Sequence, residues 1–408
     1  MDAVVLENFA LQRWVQAQSG LVDIPSAVTG ETVAKTSSAG LDFKAMADYA
    51  RDTGGPSLRA MSLHARAFMV KALAQALDER KEELYALNAH TGATRKDGWI
   101  DIEGGAMTLF STSSKARREL PDDTLIPDGD VEQISRQGTW MGQHIYTSLK
   151  GFALHINAYN FPVWGMLEKL GPALIAGVPA IVKPATATAY LCEHAVRIML
   201  ETGLLPDGAL QLIVGRTGSL FDHLTGQDVV SFTGSAATAS KLRSHPTVIA
   251  NSVRFIAEQD SLNASVLGPD ATADTPEFDL FVKEVVNEMT VKAGQKCTAI
   301  RRAIVPQALI DEVQQALVGR LAKTTVGRPD ADGVRMGALV SLAQREDVRR
   351  QVNLLREDAH LVFGNPESIA PVAANDDDGA FLSPILLRCD APWDARHVHC
   401  VEAFGPVA

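Results

Sequence analysis

The sequence contains little cysteine, no long apolar run and no excess of positive charge. Four cysteines in 408 residues are too few for a disulfide framework, which favours a reducing compartment. The most apolar stretch, residues 170–182, is interrupted by two glycines and two prolines, so it is too short and too broken to span a bilayer. Residues 1–7 carry neither the basic nor the apolar segment of a secretory signal. These absences predict a cytoplasmic protein without a membrane partner.

The balance of charge excludes a further class of partner. The chain has 38 lysines and arginines against 49 aspartates and glutamates, which gives a formal net charge of −11. An acidic chain is poorly suited to nucleic acid or to an anionic membrane surface as its main partner. A local basic pocket for a phosphorylated cofactor is compatible with this balance.

The length predicts more than one domain, because 408 residues exceed what a single hydrophobic core usually organises. Residues 60–90 have helical periodicity, whereas residues 131–150 scatter aromatic and β-branched residues among polar ones. We interpret 131–150 as an extended, hairpin-like arm. The chain stops two residues after a Phe-Gly-Pro run, where domains rarely end, so we expect that a C-terminal part is missing.

Alternating strand and helix patterns begin at residue 151. Apolar runs at 152–157, 178–183, 209–214, 229–232 and 253–257 alternate with helical segments at 162–176, 187–202 and 235–244. A second series follows, with strands at 264–267 and 302–305 and helices at 277–290 and 309–321. This alternation predicts βαβ units in an α/β fold with a parallel, doubly wound sheet. Ligands are expected at the carboxyl ends of its strands.

The strongest local signal is the run GQKCTA at residues 294–299, which is followed by two arginines. A thiol such as that of Cys297 attacks only as thiolate, and nearby positive charge and N–H groups favour that form. Gly294 allows a close approach of the backbone to a ligand. The alternative interpretation, which is commoner for a lone cysteine, is a buried structural residue.

Four weaker signals lie at predicted strand ends. Asn160 stands at a strand-to-helix junction, as an oxyanion donor or as a helix cap. Lys183 ends an apolar strand, where it either reaches a nucleotide or lies in solvent. The run SFTGS at 231–235 leads from strand to helix and suits a phosphate near a helix N-terminus. Glu258 ends another strand, as a general base or as an exposed acid.

In this order and spacing the runs resemble the signature of the aldehyde dehydrogenase superfamily. The matching runs are NFP at 160–162, KP at 183–184, FTGS at 232–235, the strand-end Glu258, GQKCTA at 294–299 and EAFGP at 402–406. The resemblance implies a Rossmann-type, dinucleotide-binding domain at 1–130 and 151–258 and a β oligomerisation arm at 131–150. It further implies an α/β catalytic domain at 259–408, incomplete at its C-terminus, and a homo-oligomer, either a dimer or a dimer of dimers.

The resemblance also implies roles for single residues. Cys297 attacks the aldehyde carbon, Asn160 and the Cys297 N–H form the oxyanion hole, and Glu258 activates the water that hydrolyses the thioester. The cofactor-binding residues that it implies are Lys183 at the adenosine ribose, Gly234 and Ser235 near the pyrophosphate, Glu402 at the nicotinamide ribose, Phe404 beside the ring, and Phe232 and Thr186.

Departures from the family pattern narrow this interpretation. Thr186 stands where many NAD-preferring relatives carry a glutamate that would repel a 2′-phosphate, so we expect NADP, with NAD as the alternative. Residues 259–261 read Gln-Asp-Ser in place of the usual Leu-Gly-Gly, and Ala239 replaces a second glycine. Glu258 and Cys297 also lie further apart in sequence than is common. With the runs at 157–162 and 258–263, these departures resemble the branch that oxidises CoA-linked semialdehydes in aerobic aromatic breakdown.

Other functions stay open at this point. A CoA-acylating aldehyde dehydrogenase would pass the thioester to CoA, although that branch usually lacks the base at the place of Glu258. A cofactor-independent thiol hydrolase would need a histidine near Cys297, and none is near in sequence. A non-catalytic scaffold would not need Cys297, Glu258 and Asn160 together. The His and Cys cluster at 397–400 lacks a second ligand pair, so we predict no metal site.

Overall fold

The computed structural model describes residues 3–408 and divides into two units. The first unit contains residues 3–23, Ala34–Leu84 and Ile100–Gln259, and the second contains Ile24–Val33, Tyr85–Trp99 and Asp260–Ala408. The two short N-terminal segments of the second unit fall inside the region that the sequence assigned to the cofactor domain. Local patterns do not reveal such long-range packing. Among the described residues, no helix has the length and apolar character that crossing a bilayer requires.

Both units contain strands and helices. The strands are β1 (Val4–Val5), β2 (Glu7–Ala10), β3 (Arg13–Gln16), β4 (Val22–Pro25), β5 (Thr32–Thr36), β6 (Ile126–Gln133), β7 (Met141–Tyr146), β8 (Ala153–Ile156), β9 (Ala180–Lys183), β10 (Leu210–Leu212), β11 (Val229–Thr233), β12 (Arg254–Glu258), β13 (Asn263–Val266), β14 (Ile300–Ile304), β15 (His360–Phe363) and β16 (Leu386–Arg388). The α-helices are α1 (Phe43–Tyr49), α2 (Gly55–Arg59), α3 (Leu63–Glu79), α4 (Lys81–Asn88), α5 (Arg95–Gly98), α6 (Gly104–Glu119), α7 (Pro162–Ile175), α8 (Ala189–Glu201), α9 (Ala236–Arg243), α10 (Pro246–Ala250), α11 (Pro276–Thr290), α12 (Ile310–Leu321) and α13 (Leu342–Leu355). Short π or 3-10 segments lie at Ala50–Gly54, Ala89–Thr91, Trp99–Glu103, Thr186–Thr188, Leu220–His223, Val291–Gly294, Gln307–Leu309 and His397–His399.

A seven-stranded sheet organises the first unit, in the order β12-β11-β8-β9-β10-β2-β3. The first five strands are parallel, which confirms the α/β fold expected from the alternating pattern. The sheet is mixed rather than wholly parallel, because β2 and β3 join its edge as an antiparallel hairpin. Leu11 and Gln12 form the hairpin turn with positive φ, a backbone geometry that matches the twist of paired strands.

Helices bury apolar stripes against this sheet. The buried positions of α7 include Val163, Met166, Leu167, Leu170 and Leu174, which recur at the spacing of one helical face. The helical pattern at 60–90 is not one helix, because it is divided at Arg80, the C-cap residue of α3. All four residues of β8 are buried, as expected of a strand inside a covered sheet.

The stretch that was interpreted as an arm is an exposed hairpin. Strands β6 and β7 pair antiparallel from Ile126 opposite Tyr146 to Gln133 opposite Met141, so the hairpin begins five residues before the predicted start. Several of its large apolar side chains are exposed within the described chain, namely those of Val131, Ile134, Trp140, Met141, Ile145 and Tyr146.

The second unit contains two short sheets and the helices α11, α12 and α13, together with the short helix α5. Strands β13 and β14 are parallel, and β15 and β16 are antiparallel. Helix α11 begins at Pro276 after its cap residue Thr275, whose side chain accepts from the Phe278 N–H. Buried faces of α11 and α12 share one apolar cluster, and α13 contributes to a second cluster that contains Ala293 and Ala403. The second cluster thus includes a residue of the turn that precedes Cys297.

Candidate active site

Four neighbouring strands of the first unit end at one edge of the sheet. In the Cα register Glu258 lies opposite Thr233, and Ile156 lies opposite Phe232 on one side and Lys183 on the other. The carboxyl ends of parallel strands meet at the same edge, which is where open α/β sheets bind ligands. The residues singled out at strand ends in the sequence therefore share one edge of this sheet.

The loop from β8 to α7 carries Asn160, whose residue surface is 8% exposed. Phe161 is the N-cap residue of α7 and makes no side-chain capping bond. Instead, the buried carboxylate of Asp101 accepts from the N–H groups of Val163 and Trp164, at 3.0 and 2.9 Å. Asn160 is thus not the helix cap that the sequence allowed. Asp101, 60 positions upstream of Phe161, takes that role and fixes the turn next to Asn160.

Unsatisfied polar groups mark the same edge of the sheet. Both amide atoms of Asn157 and the hydroxyl oxygen of Thr233 are buried and have no hydrogen-bond partner within residues 3–408. Leaving such a group unpaired costs about 1–3 kcal/mol, so their presence fits a polar ligand that supplies partners when bound. Burial lowers the pKa of the half-buried Lys183 ammonium, which a ligand phosphate or hydroxyl would offset by restoring a polar partner. These groups fit a nucleotide cofactor.

The turn from β11 into α9 leaves little room for a side chain at Gly234. A Cβ atom on Gly234 would lie 2.7 Å from the Phe232 ring, and the Gly234 N–H donates to the Glu258 carbonyl at 3.1 Å. The Ser235 hydroxyl accepts from the Thr238 N–H at 3.4 Å and caps the helix. Phe232 is only 4% exposed, so it shapes this turn from beneath. The resulting helix N-terminus suits an anionic group.

In the second unit, a strained turn precedes Cys297. Lys292, Ala293 and Gly294 follow one another with φ of 55°, 50° and 67°. Non-glycine residues in this region cost about 1 kcal/mol or more each, so the surroundings must hold them in place. The Asp97 carboxylate accepts from the Lys292 N–H at 2.7 Å, and Gln295 bridges the Lys292 carbonyl to the Val340 N–H at 3.0 Å on each side.

After this turn, an exposed cysteine lies between two buried residues. Gln295 and Ala299 are 1% and 0% exposed, whereas Cys297 between them is exposed. The alternative of a buried, structural Cys297 is therefore wrong. That description fits Cys192 instead, where burial raises the thiol pKa and the Sγ–H donates to the Pro162 carbonyl.

A buried arginine joins this loop to the EAFGP run. The Arg301 guanidinium donates to the carbonyls of Gly294 and Gly405 at 2.7 Å each, and its Cζ lies 5.5 Å from the Phe404 ring centroid. A Cβ on Gly294 would lie 2.1 Å from the Gly405 carbonyl oxygen. Gly294 therefore permits the approach of another backbone segment, which is a different requirement from the ligand approach predicted from sequence.

Glu402 lies between two partners in the second unit. Its Oε1 is 3.9 Å from the Arg301 Nε, and its Oε2 accepts from the Ser261 N–H at 3.3 Å. Its side chain is 11% exposed. Burial raises the pKa of the Glu402 carboxyl, and Arg301 and the Ser261 N–H oppose that rise without cancelling it. The folded chain thus holds the ionised form of Glu402 at a cost.

The raised pKa of Glu402 predicts how a neutral replacement changes stability with pH. The contribution of Glu402 to the free energy of unfolding is complete below the usual carboxyl pKa of 4.5. It is lost as the pH rises through the raised pKa of the folded state, because the buried carboxyl must then ionise. Glu402→Gln has no charge to lose. We therefore expect the melting temperature of Glu402→Gln minus that of the wild type to increase as pH rises from 4.5 to 8, measured by calorimetry. Glu367→Gln, at an exposed position, serves as the control, and a difference that decreases with pH would contradict the argument.

The cluster at 397–400 engages other parts of its own unit. His399 Nε2 lies 2.8 Å from the Pro392 carbonyl, and His397 Nε2 lies 3.2 Å from the Glu357 carboxylate. Within residues 3–408, no group of three or more His, Cys, Asp and Glu side chains is arranged to hold a metal ion.

Comparison with known proteins identifies the family. The family model described as "Aldehyde dehydrogenase family" matches residues 14–408. A 3,4-dehydroadipyl-CoA semialdehyde dehydrogenase of Aromatoleum evansii is 43% identical over 404 residues, which cover 99% of this chain and 78% of that protein. A 1-pyrroline-5-carboxylate dehydrogenase of Staphylococcus haemolyticus is 26% identical, with 94% of this chain and 71% of that protein covered.

Solved structures with low sequence identity share the fold. Betaine aldehyde dehydrogenase from Staphylococcus aureus in complex with NAD+ superimposes with a TM-score of 0.85 at 22% identity, over 99% of this chain and 77% of that one. Lactaldehyde dehydrogenase from Escherichia coli gives a TM-score of 0.84 at 21% identity, over 99% and 81%. The motifs, the fold and these matches agree, and the chain belongs to the aldehyde dehydrogenase family.

Proposed function

We propose that this chain oxidises an aldehyde to a carboxylic acid with NADP or NAD, through a thiohemiacetal and a thioester on Cys297. The observation that carries the proposal is that Cys297 is exposed while it lies between the buried residues Gln295 and Ala299, of which Gln295 is hydrogen-bonded to two backbone groups. A nucleophile needs this combination of access and fixed position, since misplacement by about 1 Å can cost 100-fold in rate.

The contacts of the cofactor are proposed residue by residue, from the resemblance of the motifs to those of the family. When bound, the cofactor accepts the hydride that leaves the substrate carbon. The groups proposed to hold it are Lys183 and Thr186 at the adenosine ribose, Gly234 and Ser235 at the pyrophosphate, with Phe232 beneath their turn, Glu402 at the nicotinamide ribose, and Phe404 beside the ring. The unsatisfied groups of Asn157 and Thr233 support this assignment.

Carbon–sulfur bond formation uses two groups besides the thiolate. The Cys297 sulfur bonds to the aldehyde carbon, and the carbonyl oxygen takes the negative charge. The Asn160 amide and the Cys297 N–H are proposed to donate to that oxyanion, because preorganised donors stabilise the tetrahedral state more than the substrate. The carbonyl double bond re-forms as the hydride departs, which leaves an acyl group on Cys297.

Release of the acid needs water and a base. Glu258 is proposed to take one proton from a water molecule whose oxygen bonds to the thioester carbon. The carbon–sulfur bond then breaks, and Cys297 leaves as a thiolate ready for another turnover. Glu258 is exposed at the end of β12, so water has access to its carboxylate.

The proposed substrate is a CoA-linked semialdehyde, and 3,4-dehydroadipyl-CoA semialdehyde is the candidate. Support comes from the 43% identical relative of that name and from the run Glu-Gln-Asp-Ser-Leu-Asn at 258–263. The test is oxidation of CoA-linked and free semialdehydes with NAD and with NADP, without added CoA. We expect acid release and faster turnover of the CoA-linked aldehyde. Equal rates with free short aldehydes would overturn the substrate, and turnover only when free CoA is added would favour the acylating alternative.

Thr186 is expected to decide between the two cofactors. A glutamate at this position would repel the 2′-phosphate of NADP, because like charges placed side by side cost several kcal/mol. We therefore expect Thr186→Glu to lower kcat/KM for NADP by roughly 10- to 100-fold. The value for NAD should change little or rise. The measurement is initial rates with both cofactors at a saturating aldehyde concentration.

The conservative variant Thr186→Ser is the matched control, because it keeps the hydroxyl. It should retain the wild-type ratio of kcat/KM for NADP to that for NAD. An unchanged ratio in Thr186→Glu would remove Thr186 from the proposed cofactor contacts.

The hairpin of β6 and β7 is proposed to pair with a second copy of the chain. Its exposed apolar side chains, including that of Trp140 at 69% exposure, support this role, because such patches mark interaction surfaces. We propose three parts of the chain: a cofactor-binding domain at 1–130 and 151–258, an oligomerisation arm at 131–150, and a catalytic domain from residue 259. Light scattering of the purified protein would show a dimer or a dimer of dimers, and a monomer at micromolar concentration would refute the pairing.

A further inference from the structure

Two side chains hold the carbonyl of Cys297. The Ser261 hydroxyl and the Asn263 amide each donate to the Cys297 carbonyl oxygen, both at 2.6 Å. Asn263 also donates to the Ala299 carbonyl at 3.2 Å. The peptide that follows the Cys297 Cα is thus fixed from outside its own loop, by residues 34 and 36 positions upstream.

Ser261 has a second contact through its main chain. Its N–H donates to Glu402 Oε2 at 3.3 Å, so one residue contacts both the Cys297 backbone and the Glu402 carboxylate. The hydroxyl exists only because serine replaces a glycine of the usual family pattern at this position. A glycine would keep the N–H contact to Glu402 and would lose the contact to Cys297.

Arg301 completes the arrangement on the other side of Cys297. Its guanidinium donates to the Lys296 carbonyl at 3.4 Å, which belongs to the same peptide as the Cys297 N–H, and its Nε approaches Glu402. Both peptides that flank the Cys297 Cα are therefore held by residues that also reach Glu402. Fixing both peptides limits rotation of the backbone at Cys297 and so fixes the direction in which its side chain leaves the Cα atom.

We propose that Ser261 is a positioning residue that couples the backbone of Cys297 to Glu402, and that its hydroxyl sets the place of the thiol. This inference rests on the proposed function, in which Glu402 holds the cofactor and Cys297 attacks the aldehyde. Ser261 itself touches neither the substrate nor the reacting atoms. The Ser261 side chain contacts the Cys297 carbonyl and the Asn263 amide, whereas its main chain contacts Glu402, so a substitution of the side chain leaves the contact to Glu402 in place.

That separation gives a specific kinetic signature. Ser261→Ala removes one of the two side-chain hydrogen bonds to the Cys297 carbonyl, leaves that of Asn263, and keeps the N–H bond to Glu402. We therefore expect kcat to fall by about 10-fold while the cofactor KM changes less than about 3-fold. Ser261→Thr keeps a hydroxyl and should restore most of kcat. A merely structural role would instead lower the melting temperature and would change both constants.

Hydrogen exchange provides a measurement that does not depend on turnover. The peptide that contains Cys297 should exchange faster in Ser261→Ala than in the wild type or in Ser261→Thr, because a loop that has lost one of its hydrogen bonds opens more often. Ser265→Ala, further along β13, is the matched control and should change neither exchange nor kcat. Unchanged exchange at Cys297 in Ser261→Ala, or an unchanged kcat in an active wild-type background, would overturn the inference. A wild-type protein without aldehyde oxidation would reject the proposed function, while the exchange comparison would still decide whether Ser261 holds Cys297.

Discussion

Replacing Cys297 by serine is expected to abolish aldehyde oxidation, with kcat reduced by at least about 1,000-fold, the order seen when a catalytic nucleophile is removed. A serine hydroxyl is almost wholly protonated at neutral pH, and in this proposal no adjacent base is assigned to activate it. Sulfur and oxygen are similar in size, and Cys297 is exposed, so the fold and the cofactor affinity should persist. The measurements are the rate of reduced cofactor formation and the melting temperature.

Cys400→Ser is the matched control for this result, since Cys400 is also exposed and lies outside the proposed machinery. Its kcat should stay within about twofold of the wild type, as surface substitutions away from functional groups usually leave a protein unchanged. If Cys297→Ser retained a tenth or more of wild-type turnover, the covalent route through this sulfur would be excluded.

Replacing Glu258 by glutamine should separate the two halves of the reaction. The first half needs no base at this position, so one equivalent of reduced cofactor should form rapidly per active site. Hydrolysis should then slow by roughly 100- to 10,000-fold, the usual contribution of a general base. Rapid-quench kinetics would show the burst, and mass spectrometry would show the acyl group on Cys297.

Glu119→Gln, at an exposed position near the end of α6, controls for the loss of one carboxylate and should turn over like the wild type. Glu258→Gln also distinguishes the proposal from its nearest rival. In a CoA-acylating enzyme the acyl group leaves to CoA, so loss of Glu258 would not slow turnover in the presence of CoA. A Glu258→Gln variant with full steady-state activity and no burst would therefore contradict the role of Glu258 as the base for water.

These outcomes would test a division of labour between fixed and accessible groups. Asp97, Gln295 and Arg301 are buried and hydrogen-bonded, and they hold the turn before Cys297 in a conformation that costs free energy. Cys297 and Glu258 are exposed and carry the chemistry in the proposal. Strain concentrated at such a turn is common at functional sites, where the surroundings over-determine the backbone.

Local patterns in the sequence were sufficient for most of the strands and helices from residue 151 onward. The predicted strands at 178–183 and 229–232 correspond to β9 and β11, and the predicted helices at 162–176 and 277–290 correspond to α7 and α11. Buried residues recur at every second position of a strand and at about every 3.6 positions of a helix, so a single sequence reveals these elements. The hairpin of β2 and β3 was missed, since a four-residue strand without a glycine turn gives little local signal.

The sequence by itself was sufficient to propose which residues carry the chemistry, because their order and their neighbours along the chain form a recognisable signature. Tertiary structure alone decided how they are held. Asp97 bonds to Lys292 across 195 positions, Ser261 to Glu402 across 141, and Arg301 to Gly405 across 104. Such contacts depend on which distant segments meet in the folded chain, and the local periodicity of the sequence does not encode this. For the same reason, only the folded chain showed that Cys297 is accessible, that Cys192 is not, and that Asp101 rather than Asn160 caps α7.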